Sequence, residues 1–284
     1  MRETGVDNSL GRFVWYELMT TDTEAAKAFY AEVVGWGTRD ASMPGIAYTL
    51  FTAENTSATG LIGLPEEAKK MGARPSWVGY VSVNDVDAAT ERVKQLGGTV
   101  HVPPTDIPSI SRFSVVADPQ MATLALFKWL KADQGQPARL DTLGGVGWHE
   151  LLATDWENAW PFYSELFGWQ KAGADLGALG TYQLFSAAGQ TVGGMFTKPA
   201  TVPIPFWLYY FNIDDIDVAA QRVKAGGGQI LNGPIEVAGG NRTVQCADPQ
   251  GGIFALVGKR TRNTVGYFER LGSRDSSEIQ LRSH

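Results

Sequence analysis

The sequence predicts an α+β fold made of four units, each a strand, a helix and several further strands, in two tandem copies. Three observations predict it. First, the stretch from Trp15 to Trp36, WYELMTTDTEAAKAFYAEVVGW, lies over Trp148 to Trp169, WHELLATDWENAWPFYSELFGW, at an offset of 133. This keeps Trp15/Trp148, Glu17/Glu150, Asp22/Asp155, Phe29/Phe162, Tyr30/Tyr163, Gly35/Gly168 and Trp36/Trp169. The offset then falls to 130, and Trp77, Tyr80, Gly98, Arg112, Asp118, Pro119 and Gln120 meet Trp207, Tyr210, Gly228, Arg242, Asp248, Pro249 and Gln250. Second, a fainter repeat inside each copy sets segments starting at Asp22, Asp85, Asp155 and Asp215 in one frame, each with a glycine thirteen residues on. Third, the runs before these segments alternate apolar and polar residues as strands do.

Each element follows from its residues. The runs FVWYELM, WVGYVSV, VGWHELL and FWLYYFNI are rich in aromatic and β-branched residues and read as strands. After each, an Asp caps the first amides of a helix. The acidic residue two positions later (Glu24, Asp87, Glu157, Asp217) favours the positive helix end, and Gly35, Gly98, Gly168 or Gly228 is expected in the left-handed stop position. Glycine- and proline-broken β-rich runs complete each unit. Period-two alternation divides the strands into two faces: Val81, Val83, Tyr209, Phe211 and Ile213 pack under helices, while Trp15, Glu17, Met19, Val78, Tyr80, Trp148, Glu150, Leu152, Leu208 and Tyr210 share the other face. A face carrying Trp, Glu and Tyr in each copy reads as the lining of a cavity.

The 284 residues fit two domains, each expected to fold alone, at about 150 residues per domain. Twenty-four basic against thirty acidic residues give a net charge of −6 with no basic stripe, which disfavours nucleic-acid binding. The single cysteine, Cys246, excludes an intrachain disulfide framework and reads as a buried small hydrophobe. No apolar run approaches the roughly 18 residues of a membrane span, so a cytoplasmic protein without membrane partners is expected. Nine tryptophans exceed ordinary packing needs, and some are expected to line the cavity. Residues 131 to 143 read as a polar linker. Residues 261 to 284 read as a polar tail able to wrap a second copy in a homodimer through Tyr267, Phe268 and Leu271.

With an FY…GW helix end, a VxDVDAA…GG helix and an ADPQ turn before a final strand, the chain resembles the vicinal oxygen chelate superfamily of glyoxalase I, bleomycin-resistance proteins and extradiol dioxygenases. Within that superfamily it is most similar to bacterial two-domain glyoxalase-like or hydroxylase-type proteins. The resemblance implies domains over residues 10–130 and 144–260, each of two βαβββ modules forming an open barrel around a cavity. Catalytic members hold a divalent metal through His, Glu or Gln on the first and last strands of the modules. The corresponding positions here fall on Trp15 and Trp148, Val78 and Leu208, Ala125 and Ala255, and the stretches Gly60–Gly63 and Gly193–Met195. None of these side chains ligates a metal. Of the three histidines, His149 points to the helix side and matches Tyr16 of the first copy, His101 is replaced by Leu231 in the other copy, and His284 is terminal. No metal or other cofactor is therefore expected, with a divalent metal as the alternative.

The candidate site residues are Trp15, Glu17, Tyr80 and Arg112 in the first copy and Trp148, Glu150, Tyr210 and Arg242 in the second. Trp15 and Trp148 read either as a stacking wall for a flat ligand or as packing that plugs an obsolete metal site. Glu17 and Glu150, among apolar neighbours, read as general acids or bases, or as partners in ion pairs to Arg112 and Arg242; recurrence in both copies favours the ion pairs. Tyr80 and Tyr210 offer hydroxyls to a ligand, whereas Tyr48 and Tyr182 read as ordinary sheet aromatics. The function expected is metal-free binding of a small apolar or aromatic molecule. The alternative is a glyoxalase- or dioxygenase-type enzyme (hydroxylase, isomerase or lyase) using Glu17 or Glu150, or a metal site not legible in the sequence.

Overall fold

A computed structural model describes residues 9–53, 56–131, 139–177 and 180–260. Most of the linker and the 261–284 tail, with Tyr267, Phe268 and Leu271, lie outside the described residues. The first copy runs β1 (Phe13–Thr20), α1 (Thr23–Val34), β2 (Gly37–Asp40), β3 (Tyr48–Ala53), β4 (Thr56–Gly63), a short α2 (Glu66–Lys70), β5 (Ser76–Ser82), α3 (Val86–Gln95), β6 (Thr99–Ile107), β7 (Ser111–Ala117) and β8 (Thr123–Trp129). The second runs β9 (Val146–Ala153), α4 (Trp156–Phe167), β10 (Gln170–Gly177), β11 (Gly180–Ala187), β12 (Gln190–Thr197), β13 (Phe206–Asp215), α5 (Ile216–Ala225), β14 (Gln229–Glu236), β15 (Arg242–Ala247) and β16 (Ile253–Lys259). Each copy is one eight-stranded mixed sheet, in the orders β2-β3-β4-β1-β5-β8-β7-β6 and β10-β11-β12-β9-β13-β16-β15-β14. The two βαβββ modules of a copy meet at the antiparallel pairs β1/β5 and β9/β13. Among the described residues no helix is long and apolar enough to cross a membrane.

All four helix caps form as the sequence predicts. Asp22, Asp85, Asp155 and Asp215 are extended and accept hydrogen bonds from the first-turn amides. Gly35 and Gly168 take the left-handed stop, with φ of 84° and 70°. At the other two helices the expectation is corrected by one residue: Gly97 and Gly227 adopt φ of 82° and 83°. Gly98 and Gly228 serve close approach instead. A Cβ on Gly98 would lie 2.6 Å from the Ala117 carbonyl oxygen and 3.0 Å from the Phe162 ring of the other domain. Gly98→Ala should therefore cost about 1–3 kcal/mol in urea denaturation through overpacking; a change within 0.5 kcal/mol, as at an ordinary surface position, would refute this reading.

The two domains do not keep separate interiors. One apolar cluster runs through both, from Leu18, Phe29, Tyr30, Trp36 and Trp77 to Phe162, Tyr163, Trp169, Trp207 and Phe211. The helix sides of the two sheets face each other, with α1 against α5 and α3 against α4. The repeated motifs make reciprocal contacts across this seam. Tyr30 donates to Asp248 at 3.0 Å while Tyr163 donates to Asp118 at 2.8 Å. The Trp36 indole N–H reaches the Gly144 carbonyl at 2.9 Å, and that of Trp169 reaches the Gly11 carbonyl at 2.6 Å. Each aspartate uses its other oxygen to accept amides of its own Asp-Pro turn, from Gln120 and Ala122 or from Gln250 and Gly252. The Phe-Tyr, Gly-Trp and Asp-Pro motifs thus hold the two domains together, and Trp36, Trp77, Trp169 and Trp207 are buried at this seam rather than on the faces that carry Glu17 and Glu150.

Candidate functional site: a carboxyl held by two phenols on each sheet

The faces turned away from the shared interior carry two smaller clusters. One gathers Val78, Tyr80, Ala125 and Phe127 with Val14, Trp15, Met19, Phe113, Val115 and Trp129; the other gathers Leu152, Leu208, Tyr210 and Ala255 with Trp148, Phe196 and Val257. Alternation along β1, β5, β9 and β13 puts Glu17 and Glu150 among them, as the sequence predicts. Glu17 accepts from Tyr48 at 2.7 Å and Tyr80 at 3.0 Å, one phenol on each carboxyl oxygen. Glu150 accepts in the same way from Tyr182 at 2.9 Å and Tyr210 at 2.8 Å. The indole N–H of Trp15 donates to the Tyr48 oxygen at 3.2 Å, and that of Trp148 to the Tyr182 oxygen at 2.8 Å. The result in each domain is a Trp, Tyr, Glu, Tyr chain of hydrogen bonds. Burial raises both carboxyl pKa values above the ordinary value, against the opposing pull of the two phenol donors.

The predicted ion pairs are corrected. Arg112 grips Asp87 with two nitrogens, at 2.7 and 2.8 Å, and Asp106 with a third at 2.7 Å. Arg242 pairs with Asp217 at 2.7 Å and reaches the Pro234 carbonyl at 3.5 Å. The cause is strand alternation. Phe113 and Val115 share the face of Glu17, so Arg112, one residue before Phe113, points the other way, to the N-terminus of α3, and Arg242 turns likewise to α5. Neither arginine belongs to the candidate site, and Glu17 and Glu150 keep phenols, not guanidinium groups, as partners. Tyr48 and Tyr182, read from sequence as ordinary sheet aromatics, are half of the carboxyl cradle. The signal that would have found them is glycine in the neighbouring strands. Gly60 and Gly194 pair with Glu17 and Glu150, and a Cβ on either would overlap the Tyr48 or Tyr182 side chain. Gln245 was also missed: its amide N–H donates to Tyr210 at 3.1 Å and approaches Glu150 at 3.4 Å.

The remaining predicted residues fall as expected. His149 is buried on the helix side, with Nδ1 2.6 Å from the Val192 carbonyl oxygen and Nε2 2.5 Å from the Tyr16 hydroxyl. A carbonyl only accepts, so Nδ1 carries the proton and Nε2 accepts from Tyr16. Cys246 is buried, and burial pushes its thiol pKa up to about 12, as suits an inert core residue.

The donor set does not fit a divalent metal. Trp15 faces Tyr80 across β1/β5, Val78 faces Glu17, and Ala125 faces Tyr80 across β5/β8. The space a β4 side chain would use is taken by the Tyr48 phenol. One carboxylate is left per domain, and among the described residues no three His, Cys, Asp or Glu side chains come together. A separate groove of about 280 Å³ lies at the domain seam near Val34, Leu143 and Arg222, away from both carboxyls.

Residues 12–126 and 145–256 each match the model of the Glyoxalase/Bleomycin resistance protein/Dioxygenase superfamily. CFP32 of Mycobacterium bovis is 32% identical over 245 residues, covering 86% of this chain and 93% of the relative. The anthracycline biosynthesis protein DauV of Streptomyces sp. strain C5 is 30% identical over 260 residues, covering 87% of this chain and 93% of that one. Among solved structures, the Mn(II)-bound glyoxalase from Novosphingobium aromaticivorans superposes with a TM-score of 0.59 at 17% identity, over 89% of this chain and 83% of the other, a likeness of fold. Two matched copies of the family domain, together covering most of the chain, place this protein in the Glyoxalase/Bleomycin resistance protein/Dioxygenase superfamily.

Proposed function

We propose that this chain binds a small apolar or aromatic molecule on the inner face of its sheets without a metal. Trp15 and Trp148 supply a flat wall, and the carboxyl with its two phenols supplies a polar anchor. The observation that carries this reading is the carboxyl cradle itself, a buried polar cluster on an otherwise apolar face where related folds hold a metal. Such a cluster adds little to folding, since each carboxyl is raised in pKa by burial, yet it offers a ligand hydroxyl or amine both a proton acceptor and aromatic surface. Support also comes from the relative named for anthracycline biosynthesis, because an anthracycline is a fused-ring aromatic of the kind an indole stacks on.

The test uses 1-naphthol, a fused ring with one hydroxyl, titrated by calorimetry into chain dialysed against EDTA. Binding is expected without added metal, and Glu17→Gln with Glu150→Gln should weaken it about 10- to 150-fold, as loss of one hydrogen bond to a charged group implies. The same pair of substitutions should leave folding stability within about 1 kcal/mol, since no ion pair is broken. Absence of binding, or binding that appears only with added Zn, Ni, Fe or Mn, would overturn the reading. The raised carboxyl pKa values favour one second reading, with Glu17 or Glu150 as acid/base in an isomerase-, lyase- or hydroxylase-type reaction. Consumption of the bound compound, abolished in the same variants, would distinguish it from binding alone.

A further inference from the structure

The two inner faces share a floor but not their walls. Trp15, Glu17, Tyr48, Gly60, Tyr80 and Ala125 have like residues in Trp148, Glu150, Tyr182, Gly194, Tyr210 and Ala255. On the last two strands the match breaks: at an offset of 130, Phe113, Val115, Phe127 and Trp129 are replaced by Thr243, Gln245, Val257 and Lys259. In the first domain the Tyr80 ring lies 6.3 Å from Phe113 and 5.8 Å from Phe127, which stands edge-on to Trp129 at 4.7 Å. Aromatic rings therefore continue from Trp15 and Tyr48 across the face. In the second domain three of those ring positions are lost, its added rings Phe196 and Phe206 lie on β12 and β13 instead, and Lys259 brings a positive charge to the edge of the sheet.

The carboxyls differ as well. Glu150 has the Gln245 amide close by in addition to its two phenols, whereas Val115 gives Glu17 nothing. Among the described residues no Lys, Arg or His pairs with Glu17, and the nearby Arg112 is engaged by Asp87 and Asp106 on the opposite face. A carboxyl without a counter-ion, on a face shared with several aromatic rings, is complementary to an organic cation. Such a cation gains from the carboxylate and from the ring quadrupoles together.

Resting on the binding function proposed above, we infer that the inner face of the first domain takes an organic ammonium ion carried on an aromatic or apolar body, and that the second domain does not. The test compares phenyltrimethylammonium with its uncharged isostere tert-butylbenzene by titration calorimetry of the full chain. One equivalent of the ammonium ion is expected to bind, at least tenfold tighter than the isostere. Glu17→Gln should abolish that preference. Val115→Gln, which imports the residue of the second domain, should weaken ammonium binding several-fold, and a melting curve of each variant establishes that it is folded. Equal affinity for the two compounds, two equivalents of ammonium per chain, or an unchanged preference in Glu17→Gln would overturn the inference. Binding of 1-naphthol without a preference for ammonium overturns this inference alone, whereas failure of all three compounds to bind overturns the binding function with it.

Discussion

Trp169→Ala is expected to lower the stability of the whole chain by about 5 kcal/mol. Removing a buried Trp costs about 3–5 kcal/mol through lost transfer energy and the cavity left behind, and a hydrogen bond adds about 1 kcal/mol. Trp169 is 1% exposed. It stacks on Phe185 at 4.4 Å and Tyr163 at 5.5 Å, touches Phe13 and Trp207 at 5.8 Å, and donates to the Gly11 carbonyl of the other domain at 2.6 Å. Against a total of about 5–15 kcal/mol for a typical protein, the loss is large. Trp36→Ala should act alike, since its indole makes the reciprocal bond to Gly144 and lies 5.0 Å from Phe211 of the second domain. Trp15→Ala, on an inner face and only partly buried, should cost less than half as much. Urea denaturation followed by circular dichroism measures all three. A loss under about 2 kcal/mol for Trp169→Ala would mean that the seam is not a shared core.

Much of this architecture was legible because duplication shows the same physical constraints twice. Capping aspartates, glycine stops and strand alternation are local properties, and they located the helices and the two faces of each sheet. What the repeat did not reveal is which repeated residues touch each other. Tyr30 and Asp248, or Trp169 and Gly11, are far apart in sequence and meet only through the packing of one copy on the other. Recurrence of Glu17 and Arg112 in both copies suggested an ion pair, but alternation along β7, applied to Phe113 and Val115, argues against it. Positions where the copies differ are equally informative. Gly79 and Tyr209 occupy matched positions and meet each other, the Gly79 amide donating to the Tyr209 hydroxyl at 2.8 Å. A Cβ on Gly79 would come 2.6 Å from that hydroxyl, so two large residues do not fit and the symmetry breaks. The same reasoning covers Tyr16 and His149, which also face their own counterpart and divide the roles of donor and acceptor.

That division of roles carries the second large effect. His149→Gln should change the way stability responds to acid. Burial holds the His149 pKa down to about 4, against 6.5 for a free imidazole, while its Nδ1–H on Val192 pulls weakly the other way. Between pH 6.5 and 4 the unfolded chain therefore binds a proton that the folded chain does not, and stability is lost as the pH falls. At 1.36 kcal/mol per unit, the loss approaches about 3 kcal/mol at the acid end. Glu17, Glu150, Asp118 and Asp248 oppose it. Burial raises their folded pKa values, so the folded chain holds protons that the unfolded chain releases. Their contribution is full at low pH and is lost as the pH rises through the folded values. In the native chain the histidine and the carboxyls offset each other on the acid side. With His149→Gln the histidine's share is gone, so the variant, though less stable at pH 7, should close on the native chain as the pH falls from 6.5 to 4, losing less stability or gaining more at each step. Urea midpoints at half-unit steps of pH measure the slope. Parallel slopes for the two proteins would show that His149 takes up its proton in the folded state as readily as in the unfolded one, and that burial does not hold it neutral.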